Sequence, residues 1–77
     1  MTLDTIRYLY EARPFRPFAL HLADGRNVAV QHPEVLAFAP AGRTIVVVLP
    51  DNGVRIIDLE LVTEVEVKPG RPGRKAA

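Results

Sequence analysis

The sequence predicts a mainly-β fold, in which one N-terminal helix is followed by a five-stranded, strongly bent antiparallel sheet or a small β-barrel. Turn signals recur at regular spacing, at Asp24-Gly25, at residues 41–43 and at residues 51–53. Between them, apolar side chains follow the period of two that is typical of strands. The 77 residues suffice for one domain with a thin core, which we assign to residues 1–67.

The first residues are predicted to form a short amphipathic helix. Thr2 is the expected N-cap, and the helix must end before Pro14, because the residue that precedes a proline is disfavoured in the α conformation. Four apolar residues recur at helical spacing on one face: Leu3, Ile6, Leu9 and Tyr10. An isolated helix of this length is unstable in water, so we expect this face to lie on the sheet.

The first two strands are predicted to form a hairpin around Asp24-Gly25. The inward residues of the first strand are Phe18, Leu20 and Leu22. In the second strand Val28 and Val30 point inward, and Pro33 bends the chain because it has no N–H to donate to a ladder. We expect one long strand with a sharp corner at this proline.

The strand at residues 44–49 is apolar on both faces. In so short a chain, one face is either covered by the N-terminal helix or presented to another subunit. In the last strand, Val65 and Val67 are expected to point inward, with Glu64 and Glu66 pointing outward.

Asp58 is a candidate binding residue, because alternation places it on the same face as Val54 and Ile56. Either it caps a helical turn at residues 59–61 through backbone N–H groups, or it is a buried carboxylate that pairs with Arg26, Arg43 or His32 at a subunit interface. The sequence leaves both alternatives open.

The inventory of side chains argues against catalysis. The chain has neither Ser nor Cys, so serine and cysteine nucleophiles are absent. His32 and Glu34 could form an acid/base pair, but neighbouring residues at a bend usually make local hydrogen bonds, so we list them only as candidate binding residues. The two histidines do not make a zinc ligand set. We predict no enzyme activity, no metal and no cofactor.

Charge is distributed unevenly along the chain. Residues 1–67 contain six arginines against nine acidic residues, a net charge of −3, whereas residues 68–77 have a net charge of +4. The cations of this segment are Lys68, Arg71, Arg74 and Lys75. Because the segment has nothing to bury, we predict a flexible basic tail that could contact nucleic acid.

No apolar run is long enough to span a bilayer, and residues 1–4 lack the features of a signal peptide. We therefore expect a cytoplasmic protein with no membrane partner.

Two resemblances follow from the residues. The strings RPFRPF (residues 13–18), LADGR (residues 22–26), HPE (residues 32–34) and IDL (residues 57–59) resemble those of a group of small uncharacterised bacterial proteins. Residues 20–26 and 56–65 are similar in pattern to the first and closing segments of Sm-like proteins, which have SH3-like barrels and bind RNA. The chain carries HPE and IDL where Sm-like families have their RNA-contacting motifs.

These observations give two hypotheses for function. The first is a non-enzymatic interaction or assembly module, most simply a homo-oligomer, with any other protein partner unknown. The alternative is an Sm-like nucleic-acid-binding protein in which the basic tail supplies the charge.

Overall fold

The computed structural model describes residues 1–68. The helix, α1, spans Leu3–Glu11 and precedes six strands: β1 (Phe18–Leu22), β2 (Asn27–Val30), β3 (Leu36–Phe38), β4 (Thr44–Val48), β5 (Val54–Asp58) and β6 (Val62–Val67). Two short 3₁₀ turns, Pro33–Val35 and Leu59–Leu61, precede β3 and β6. The fold of these residues is mainly β with one N-terminal helix, as the sequence predicts.

The strands form two antiparallel sheets of three strands each. The first sheet has the order β2-β1-β6 and the second has the order β3-β4-β5. The prediction of five strands in one sheet or a closed barrel is therefore wrong for the described residues. The physical reason is Pro33: it starts a 3₁₀ turn that divides the expected long strand into β2 and β3, and these pair in different sheets.

The core lies between the two sheets. The first sheet contributes the predicted inward residues, which include Phe18, Leu20, Val28 and Val30. The second contributes Leu36, Ile45, Val47 and Ile57. In the last strand, Val65 packs against this core, whereas Val67 is exposed rather than inward.

The helix covers part of this core with its apolar face. Ile6 is fully buried, and Leu3, Leu9 and Tyr10 pack around the core. The rings of Tyr10 and Phe38 meet edge to face with their centroids 5.1 Å apart, which ties the helix to β3. Thr2 takes the extended N-cap conformation, but its hydroxyl lies 3.1 Å from that of Thr5 instead of accepting from a backbone N–H.

Left-handed residues lie in the turns of all three hairpins, and Gly42, between β3 and β4, has φ +82°. Gly25, between β1 and β2, has φ +92°. Asn52, between β4 and β5, has φ 71°, a conformation that asparagine tolerates better than most residues. Within residues 1–68, none of the helices has the length and apolar character needed to cross a membrane.

Candidate functional site

A cleft of about 820 Å³ lies between β2 and the turn that joins β4 to β5. One wall is formed by β2 and the residues after it, and the other by residues 48–52 together with Arg55. Its apolar lining consists of Val28, Ala29, Val35, Val48, Leu49 and Pro50. Concave, largely apolar sites with a few convergent polar groups are typical of ligand pockets.

Arg55 is the cation of this cleft, and strand register explains its position. It pairs with Val47, while Ile57, two residues later, pairs with Ile45. Val47 and Ile45 are both fully buried, so Arg55 lies on the core-facing side of its strand. An arginine in this position brings a charge to the end of an apolar interior.

The guanidinium group of Arg55 has an unsatisfied donor. Its Nη1 atom is buried and has no hydrogen-bond partner among the described residues. No carboxylate of residues 1–68 forms an ion pair with it either. A buried polar atom without a partner costs free energy. Because Arg55 also lines the cleft without a carboxylate partner among residues 1–68, its guanidinium is suited to bind an anionic ligand.

Other polar side chains also line the cleft. Asn27, Gln31 and Asn52 supply amides, and His32 supplies an imidazole. Asp51 lines it too, and its Oδ1 atom accepts a hydrogen bond of 2.8 Å from the N–H of Gly53. The cleft thus combines one guanidinium with one carboxylate and several neutral donors.

A second feature is an apolar patch on the outer face of the second sheet, formed by Val46, Val48, Val54 and Ile56. Val46 lies directly opposite Ile56, and Val48 lies directly opposite Val54. Ile56 is 74% exposed and Val54 is 57% exposed. The helix therefore leaves this face of the doubly apolar strand open to solvent.

The predicted site residues lie in different places. His32 is exposed and lines the cleft, whereas Glu34 is exposed on the first 3₁₀ turn and is not part of the cleft lining. Asp58 accepts a hydrogen bond of 2.9 Å from the N–H of Glu60, and its Oδ2 atom lies 3.8 Å from Arg43 Nη2. Asp58 is thus a half-exposed cap on the second 3₁₀ turn, away from the cleft.

The tail residues are mostly outside the described region. Lys68 is described: its backbone N–H donates to the carbonyl of Pro17, and its own carbonyl accepts from Arg16 Nη2 at 3.0 Å. Arg71, Arg74 and Lys75 lie outside the described residues.

Sequence reasoning did not single out Arg55. Both alternating sets of its strand contain apolar residues, Val54 and Ile56 in one and Ile57 in the other, so the sequence alone does not decide which face is buried. Pairing with the buried Val47 and Ile45 decides it. The one signal in the sequence is that Arg55 and Ile57 are two residues apart and so share a face of the strand.

Comparisons of the chain with protein-family models, with curated proteins and with solved structures gave no match.

Proposed function

We propose that this protein is a non-enzymatic assembly module that associates with a second copy of itself through β5 and the apolar patch. The observation that carries the proposal is the register of the patch: its four β-branched side chains form two adjacent cross-strand pairs on one solvent-facing surface. Contiguous exposed apolar surface of this kind is typical of interaction sites.

The position of β5 supports pairing between copies. It is an edge strand of the second sheet. Edge strands of natural proteins are usually protected by charges, by proline or by being very short. β6, an edge of the first sheet, carries Glu64 and Glu66, and β3 is only three residues long. On β5 the outer row of Val54 and Ile56 carries no charge before Asp58, and the inward-facing Arg55 is the other charge on this strand.

A second copy is the partner with matching chemistry. In an antiparallel, two-fold pairing of β5 with itself centred on Ile56, each patch continues into the other across the junction, and the same residues serve both sides. This pairing would bring the two Ile56 side chains into cross-strand contact and remove part of the apolar area of the patch from water, which is the main driving force of association.

The test is the molar mass in solution across micromolar concentrations, measured by sedimentation equilibrium. The unaltered chain should self-associate, and Ile56→Lys should give a monomer because it places a charge at the two-fold centre. Tyr8→Lys is the matched control, because Tyr8 is 75% exposed on the helix, away from the patch. A strictly monomeric wild-type chain, or equal loss of association in both variants, would overturn the proposal.

A second candidate function is nucleic-acid binding through the basic tail. The contact of Arg16 with the carbonyl of Lys68 favours it, because it brings an exposed cation of the body beside the start of the tail. Residues 1–68 as a whole contain seven cations and nine acidic residues, a net charge of −2, so the tail would have to supply the attraction.

This candidate predicts binding to single-stranded RNA that weakens steeply as salt is raised. Fluorescence anisotropy with the full chain should lose the signal when residues 69–77 are deleted. The truncation keeps Lys68 and its hydrogen bond to Pro17. No binding at low salt, or binding unchanged by the deletion, would reject it.

A further inference from the structure

The cleft beside β2 shares only Val48 with the apolar patch proposed above for assembly, and it has the features of a ligand site. Its volume of about 820 Å³ falls within the range of small-molecule pockets, about 300–1,000 Å³. Arg55 lines it from the core-facing side of β5, and no carboxylate of the described residues forms an ion pair with its guanidinium. The charge of the ligand and the apolar lining of the cleft decide which ligand fits beside Arg55.

We propose that the cleft binds a ligand with a single carboxylate on an apolar body, and that Arg55 pairs with the carboxylate. Guanidinium and carboxylate groups have matching planar geometry and form charge-assisted hydrogen bonds. The apolar body packs on the five aliphatic side chains and the proline that line the rest of the cleft. The amides of Asn27, Gln31 and Asn52 are the neutral groups available to orient it.

The charge of the cleft favours a monoanion over a phosphate. Asp51 is part of the lining, so the cleft already contains one carboxylate besides the single guanidinium of Arg55, with which it forms no ion pair. A doubly charged phosphate would be repelled by Asp51 and would find only one fixed cation, since sites for phosphate groups rely on clustered cations or backbone N–H groups. One added carboxylate instead completes a pair with Arg55.

The same chemistry occurs in two sources, a small carboxylic acid and the C-terminal carboxylate of an extended apolar peptide. The peptide has one feature in its favour. Residues 27, 28 and 29 line the cleft consecutively, which means that β2 presents its edge and not one face, and β2 is an edge strand of the first sheet. A peptide could add to that edge through main-chain hydrogen bonds.

The test uses the full chain labelled with ¹⁵N and titrated with octanoate. Amide signals of Val28, Val35 and Leu49 should shift and saturate, while octanol, which lacks the charge, should bind more weakly. Inorganic phosphate should cause no saturable shift at these residues. Shifts confined to other parts of the chain, or tighter binding of phosphate than of octanoate, would overturn the proposal.

Variants assign the carboxylate to Arg55. Arg55→Gln should weaken octanoate binding by at least about tenfold, the loss expected for a hydrogen bond to a charged group. Arg43→Gln is the matched control with unchanged binding, because Arg43 is outside the cleft and lies 2.9 Å from Glu60. Arg55→Lys keeps the charge but loses the planar guanidinium, so it should bind octanoate with intermediate affinity. It keeps the role of Arg55 testable if Arg55→Gln does not fold. Equal affinity in the wild type and Arg55→Gln would reject the role of Arg55.

Two further arms separate the sources and the two proposals. A short apolar peptide with a free C-terminus should bind more tightly than its amidated form if the site takes a peptide; equal weak binding of both, with octanoate bound, identifies the small acid. In the Ile56→Lys background the cleft should still bind octanoate. Failure of self-association therefore leaves this inference intact, and loss of ligand binding leaves the assembly intact.

Discussion

The two sheets of this protein each have three antiparallel strands, but their outer faces differ. On the first sheet, one outer row consists of Asn27, His21 and Glu64. His21 also lies 3.1 Å from Glu66 of the neighbouring strand. On the second sheet, the outer face carries the apolar patch instead. The outer row of the first sheet is therefore polar, whereas the outer face of the second sheet is apolar.

This difference shows that β-branched residues have different roles on the inner and outer faces of the sheets. β-branched residues favour strands on either face, because they fit a pleated surface. On the inner face they form the core. On the outer face of the second sheet they add apolar area that does nothing for an isolated chain, which is why this face, and not the first sheet, is the candidate for assembly.

The largest expected effect separates the inner and outer faces of the second sheet with one substitution. Ile45 is fully buried, and Ile45→Ala should lower the free energy of unfolding by about 2–5 kcal/mol through lost burial and a cavity. Ile56→Ala, on the outer face, should change it by less than about 0.5 kcal/mol in the monomer. Denaturant unfolding at low protein concentration measures both.

Because a domain this small has little stability to lose, the milder pair Ile45→Val and Ile56→Val provides the control. Ile45→Val should cost about 1 kcal/mol and Ile56→Val close to nothing. Leu20→Ala extends the comparison to the inner face of the first sheet and should match Ile45→Ala, since Leu20 is also fully buried. If both isoleucines proved equally costly, the outer face would be packed in the monomer and the contrast between the sheets would be wrong.

A smaller effect is expected at the one charged side chain on the inner side of β5. Arg55→Met keeps most of the aliphatic stem and removes the unsatisfied guanidinium, so the chain should become more stable by about 1 kcal/mol. Thermal or denaturant unfolding without added ligand measures this. Lower stability of Arg55→Met would mean that Arg55 stabilises the fold. Its presence in β5 would then be explained without a ligand.

The sequence predicted the local structure better than the pairing of distant strands. The helix, the inward set of β1 and β2 and the cap at Asp58 all follow from short-range rules of spacing, turn chemistry and capping. The division of the long strand at Pro33 could be located, but which sheet each half joins depends on contacts that no local rule contains.

The same limit applies to the candidate site. In β5, the alternation of Val54 and Ile56 suggested an apolar, inward face that would have included Asp58. The register with β4 places these residues outside and Arg55 inside. When the outer face of a strand is also apolar, alternation no longer distinguishes the buried face from the exposed one, so the sequence pattern cannot assign them.

The smallest effect is expected at the turns of the β1–β2 and β4–β5 hairpins. In each, an aspartate accepts a hydrogen bond from the N–H two residues later: Asp24 from Arg26 at 3.0 Å, and Asp51 from Gly53 at 2.8 Å. The turn of the first sheet adds an ion pair, since Arg26 Nε lies 2.7 Å from Asp24 Oδ2. The hydrogen bond from the backbone of Arg26, reinforced by its side chain, lowers the pKa of Asp24 below its usual value.

A lowered pKa in the folded state means that ionised Asp24 stabilises the fold above the pKa it has in the unfolded chain, about 3.9, and that this contribution is lost as pH falls through the lower, folded value. Asp24→Asn keeps a side-chain acceptor for the turn but cannot titrate, so its stability should fall less than that of the wild type on acidification from neutral pH. Because Asp24 is fully exposed, the difference should be small and should shrink further in high salt. Unfolding followed at neutral pH and below pH 4, at low and high salt, measures it. Identical pH dependence of Asp24→Asn and the wild type at low salt would mean that the Asp24–Arg26 pair adds nothing to the first hairpin and that the two turns are energetically alike.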